Sequence, residues 1–96
     1  MVAWALFGAA EVRITKGVAK EYASSDHGRR YFCETCGAGL FYTSEVIFSG
    51  LIDVQSASLD NPEAIMPPSA QVQTAERIGW LHEALQSPAF ERYPAD

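Results

Sequence analysis

The segment that most constrains this chain is Cys33-Glu34-Thr35-Cys36-Gly37, set between Tyr31-Phe32 on one side and Leu40-Phe41-Tyr42 on the other. Two cysteines separated by two residues form a tight turn that points both sulfurs at one centre. A glycine directly after the second cysteine takes a positive φ that other residues resist. The backbone then folds under the sulfurs and offers them N–H groups, which stabilise thiolate charge beside a metal. The flanking aromatic runs read as two strands of a hairpin with the knuckle at its tip.

Cys33 and Cys36 are the only cysteines in the chain. Structural zinc takes four protein ligands, usually cysteine with some histidine, so this turn supplies half a site. The rest comes from His27, His82, another subunit or residues upstream of Met1, or else the site is vestigial. Other readings of the pair stay open. A thioredoxin-like redox motif would open a helix in a βαβ setting, whereas Gly37 to Thr43 is glycine-broken and aromatic and suits a strand. A structural disulfide belongs to an oxidising compartment. No signal peptide is seen, and a reducing cytoplasmic setting is expected. Two buried thiols acting as small hydrophobes are the plainest alternative.

Ninety-six residues suit one domain at the small end of the range. Such a chain buries roughly 60–65% of its unfolded surface, so a metal staple would add noticeably to a modest core. No apolar run approaches the ~20 residues needed to span a bilayer. A net charge of −5, with Arg29-Arg30 as the densest positive spot, argues against a nucleic-acid partner, which calls for a basic face.

Short strands are expected to dominate. Val2 to Phe7 reads as a buried N-terminal strand. Such a strand beginning at residue 2 is unusual, since termini are commonly frayed and polar, and it leads us to expect a domain that begins upstream. Glu11 to Thr15 alternates polar and apolar, the pattern of a half-buried strand, with Lys16-Gly17 as a turn and Val18 to Tyr22 pairing back. Ser24 to Gly28 is a polar loop. Arg30 to Cys33 and Leu40 to Thr43 flank the knuckle. Val46 to Ile52 reads as a further strand, with Gly50 marking a bulge or close backbone approach. Val72 to Thr74 reads as a last strand, and Ala75 to Leu85 as a helix capped by Thr74, with Ile78, Leu81, His82 and Leu85 on one face.

The order of these pieces resembles the glutathione-dependent formaldehyde-activating enzyme family, which shares its domain with the centromere protein V group. The match rests on Trp4-Ala5-Leu6-Phe7, Lys16-Gly17, Tyr22-Ala23-Ser24-Ser25, Arg30-Tyr31-Phe32-Cys33-Glu34-Thr35-Cys36-Gly37-Ala38-Gly39-Leu40, Gly50-Leu51-Ile52-Asp53, Pro67-Pro68, Trp80 and Ser87-Pro88-Ala89-Phe90. The Arg-x-Phe-Cys-x-x-Cys-Gly element is the most specific of them. The resemblance implies one domain over residues 1–96, mainly β, of the β-tent type: small antiparallel sheets with a zinc-knuckle hairpin and little helix. It implies zinc as cofactor, Cys33 and Cys36 as metal ligands, glutathione or a glutathione adduct as partner, and carbon–sulfur lyase activity. A zinc in such a site could bind the glutathione sulfur or polarise an oxygen as a Lewis acid.

Two departures bear on activity. Family members carry an N-terminal Cys-x-Cys pair that completes the structural zinc, and a later Cys-x-Cys-x-x-Cys cluster that holds the catalytic zinc. Met1 falls just after both, so the chain is expected to be truncated at its N-terminus relative to the family. Where the family usually has a histidine and aromatics after the proline segment, Ala70-Gln71 stands here. No catalytic residue is assigned. His27 reads as an exposed loop residue, His82 as a core-edge residue, Asp53 and Glu45 as strand-end carboxylates, and Trp4, Trp80, Phe41 and Tyr42 as core. The alternative function is a non-catalytic zinc-binding β-tent module, structural or small-molecule binding. An open sheet edge and a half zinc site both point to a homodimer.

Overall fold

The computed structural model describes residues 1–94 and contains five strands in one antiparallel sheet: β1 (Trp4–Gly8), β2 (Ala19–Ala23), β3 (Gly28–Cys33), β4 (Gly39–Ser44) and β5 (Leu51–Gln55), in the order β1-β5-β4-β3-β2. Strands β2 to β5 form a meander. β1 closes the far edge against β5, pairing Trp4 with Gln55 and Phe7 with Ile52. The protein is thus mainly β. Among the described residues the strands lie in a single sheet rather than in several small ones, and helical content is limited to short 3-10 turns.

Register sorts the side chains onto two faces, because residues directly opposite in neighbouring strands share a face. Tyr31, Phe41, Val54 and Ala5 form one cross-strand row, and Arg30, Tyr42, Asp53 and Leu6 form the next, on the other face. The first face carries the core. Val54 is 4% exposed and Ile52 8%, and the rings of Tyr31 and Phe41 stack at 4.4 Å between centroids. The pairing of β3 with β4 slips between Tyr31 and Phe32, so that Phe41 faces Tyr31 while Gly39 faces Phe32. This bulge seats Leu40 beside Phe41 over the core face, where both border a cavity of about 410 Å³ closed by the 11–16 and 58–60 segments.

Several expectations are corrected. Glu11 to Thr15 forms no strand: Ala9–Glu11 is a 3-10 turn and the following residues cover the core cavity. Strand β2 therefore pairs with β3 instead. The strand expected at Val46 to Ile52 begins only at Leu51. Ser44 causes the delay: its carbonyl accepts the Phe48 N–H at 2.7 Å and its hydroxyl accepts the Ile47 N–H at 3.2 Å, which holds the chain in a turn. β1 is a half-buried edge strand rather than a buried one, with Leu6 48% exposed.

The expected helix over 75–85 is two 3-10 turns, Thr74–Glu76 and Leu81–Gln86. Val72 to Thr74 is not a strand, and Trp80 is 64% exposed rather than core. An isolated helix this short is marginal without a face to pack against. Gly79 further weakens it. Among the described residues, no helix is long and apolar enough to cross a membrane.

Candidate metal centre

The knuckle lies where β3 ends and β4 begins. The Cys33 N–H donates to the Ala38 carbonyl at 2.9 Å, and the Gly37 N–H donates to the Cys33 carbonyl at 2.7 Å, closing a tight loop. Gly37 has φ +80°, the left-handed region that its missing side chain permits, and open space lies where a Cβ would project. The turn thus folds as the spacing requires.

The chemistry of Cys33 follows from that geometry. The backbone N–H groups of Cys36 and then Thr35, followed by the Cys36 thiol, hold the Cys33 thiol below its ordinary range. Donors turned toward a sulfur favour the thiolate over the thiol. Cys36 is exposed and Cys33 partly so, and both are free thiols. A nucleophilic or metal-binding cysteine works as thiolate, so this turn is built for the ionised form.

Among the described residues no third His, Cys, Asp or Glu joins the pair into a metal-holding group. His27 sits beyond the opposite end of β3, whose five residue steps from Gly28 to Cys33 span roughly 16 Å. Its Nδ1 instead hydrogen-bonds the Ser44 hydroxyl at 2.9 Å, and Ser44 is 2% exposed. This His27–Ser44 contact ties the β2–β3 loop to the end of β4, and no sequence signal announced it. His82 is exposed beside Glu83, 3.6 Å away. Glu45 accepts from the Ser49 hydroxyl at 3.3 Å. Asp53 lies mid-strand rather than at a strand end, and burial pushes its carboxyl above the usual range.

The face opposite the core also bears on the site. Trp4, Tyr22, Arg30, Phe32, Gly39 and Gln55 border a shallow groove of about 280 Å³ that reaches Gly37 of the knuckle. The Arg30 guanidinium lies over the Tyr42 ring, 5.3 Å from its centroid. Sequence reading assigned Trp4 and Tyr42 to the core. In the fold they sit half-buried on this other face.

Neither a curated protein nor a solved structure matches the chain. A family model described as glutathione-dependent formaldehyde-activating enzyme matches residues 1–76. That span contains all five strands and the knuckle, so the chain belongs to the glutathione-dependent formaldehyde-activating enzyme family.

Proposed function

We propose that Cys33 and Cys36 are two of four ligands of a structural zinc, and that the sheet around them is a zinc-clamped binding module related to the carbon–sulfur chemistry of glutathione and formaldehyde. The observation that carries this reading is the Cys33–Gly37 turn, closed by the Gly37 N–H to the Cys33 carbonyl at 2.7 Å and by the positive φ of Gly37, which sets both cysteines on one tight loop. Soft thiolate donors favour zinc over hard cations such as magnesium or calcium. Zinc bound there would clamp the β3–β4 hairpin, adding rigidity to a small core. The remaining two ligands come from a second copy of the chain. Two knuckles related by a two-fold axis sum to four thiolates, and a two-fold dimer is the commonest closed assembly. The β1 and β2 edges flank the sheet and offer further pairing surface.

The lyase reading is a family-level one, with a carbon–sulfur bond formed or broken at a glutathione adduct. Both cysteines of this chain lie in the knuckle, which leaves no thiolate for a second metal. That count favours a binding or scaffolding role for these 96 residues taken alone. The test pairs zinc analysis with turnover. The purified chain is reloaded with zinc, desalted and assayed for metal, and glutathione–formaldehyde condensation is followed by NMR. We expect up to one zinc per two chains, abolished by Cys33→Ser, and no acceleration over the uncatalysed rate. Zinc retained in full by Cys33→Ser would overturn the metal reading. Acceleration abolished by Cys33→Ser would overturn the scaffolding role.

A further inference from the structure

The groove beside the knuckle carries a charge with no hydrogen-bond or ion-pair partner among the described residues. Arg29, one residue earlier, points to the core face and donates to the Ser25 carbonyl at 3.0 Å and the Gly28 carbonyl at 2.8 Å. Arg30 makes no hydrogen bond and no ion pair among the described residues, yet it is held in place over the Tyr42 ring. Guanidinium on an aromatic plane keeps its edge free for a second, coplanar partner. Asp53 lies on the same cross-strand row, with Tyr42 between it and Arg30. Burial raises the Asp53 carboxyl above its usual range. Lys20 stands on this same face, paired in register with Phe32. In a chain of net charge −5, the face beside the knuckle thus gathers two of the seven lysines and arginines.

The rest of the groove is shaped for a small organic body. Trp4, Tyr22 and Phe32 wall it, and Gln55 supplies an amide that can donate and accept. Gly39 leaves room there for the Gln55 amide, which a Cβ at that position would push aside. A concave, largely aromatic site with a few placed polar groups is how small-molecule sites are built.

We propose that this groove recognises a carboxylate of a small peptide-like acid through the Arg30 fork. The acid's body rests against Trp4 and Phe32, and its other end is directed toward the knuckle. Bidentate arginine–carboxylate pairing supplies the anchor. Identifying that acid as glutathione rests on the family reading above. The recognition itself rests only on Arg30 and its surroundings.

The probe is S-methylglutathione, whose blocked thiol cannot ligate metal, titrated into the isotope-labelled full chain by NMR. Its diethyl ester, which lacks both carboxylates, serves as the paired probe. We expect saturable shifts at the Trp4 indole and the Gln55 amide. Affinity should be about 5–10-fold weaker for the ester or for Arg30→Gln, as loss of a charge-assisted pair at an accessible site implies. Arg30→Lys should fall between them. The ester comparison uses the unaltered protein, so it stands even if a variant folds poorly. Absence of saturable shifts at Trp4 and Gln55 would overturn the proposal. So would equal affinity for acid and ester, or shifts confined to Phe7 and Leu59 on the core face. Cys33→Ser separates the two readings: loss of zinc with groove binding retained defeats neither, whereas zinc binding without groove binding defeats only this one.

Discussion

Replacing Gly37 by alanine tests the knuckle against a control built into the same chain. Gly37 has φ +80° and Gly17 has φ +77°, and neither has an atom within 4 Å of where a Cβ would stand. Both substitutions therefore introduce backbone strain and no clash. An L-residue in the left-handed region costs about 1–2 kcal/mol, so Gly17→Ala should lose that much stability, about 4–8 °C in Tm per kcal/mol for a domain of this size, and Gly37→Ala less, to the extent that its turn relaxes. They should diverge in metal binding. Without metal, the Gly37→Ala variant can relax its strain locally, because the turn sits at a hairpin tip held by the Gly37–Cys33 hydrogen bond of 2.7 Å. Binding must then rebuild the strained turn. One to two kcal/mol corresponds to roughly 5–30-fold weaker metal affinity. Gly17 lies outside the knuckle, in the stretch that leads into β2, and Gly17→Ala should bind metal as the parent does. Cobalt titration, read by thiolate charge-transfer absorption, gives both affinities. Equal affinities for the two variants would refute the argument that the Gly37 turn is organised for metal.

Three further outcomes follow from the fold. Val54→Ala removes two methyl groups from the best-buried apolar side chain. At about 0.8 kcal/mol each, plus the cavity left behind, the loss is about 2–3 kcal/mol, whereas Val72→Ala, 80% exposed, should change stability by less than about 0.5 kcal/mol in urea unfolding. A comparable loss for Val72→Ala would place the C-terminal third in the core. Asp53 has a raised carboxyl pKa from burial, so the folded state holds its proton more tightly than the unfolded chain does. Its stabilising contribution is full below the unfolded value of about 3.9 and is lost as pH rises through the folded value. Asp53→Asn should therefore gain over the parent from acid toward neutral pH, and a gain that is constant or shrinks across that range would contradict the assignment. Tyr31 donates to Glu21 at 2.6 Å and its pKa is raised, first by that bond and then by burial. The contribution is present below about pH 10 and should fade above it, and Tyr31→Phe should abolish that alkaline dependence.

How much of this could be read from sequence depends on where local signals and long-range pairing agree. The β3–β4 hairpin was legible because Cys33-x-x-Cys36-Gly37 specifies its own turn, and the aromatic runs on either side pair across it. The Ser24 to Gly28 loop was legible for a similar reason: the Ser25 hydroxyl accepts the Gly28 N–H at 2.9 Å, a contact between near neighbours. Glu11 to Thr15 misled because alternation reports one buried face, and Val12 satisfies that by covering a cavity without joining a ladder. Strand β5 was displaced because one buried serine, Ser44, prolonged the preceding turn. The helix over 75–85 failed for want of a partner: Ile78 and Leu85 stay exposed, so no apolar face is buried to hold the period. At the site, the two thiols were legible. The Arg30 groove was not, because its residues come from separate strands and meet only through the register of the sheet.

The central claim, that Cys33 and Cys36 hold the metal, is tested most directly by zinc-edge X-ray absorption on the loaded protein. The account predicts a shell of four sulfurs at about 2.3 Å, shared between two knuckles, and loss of that shell in Cys33→Ser. A first shell made only of nitrogen and oxygen at about 2.0–2.1 Å, unchanged by the substitution, would contradict it.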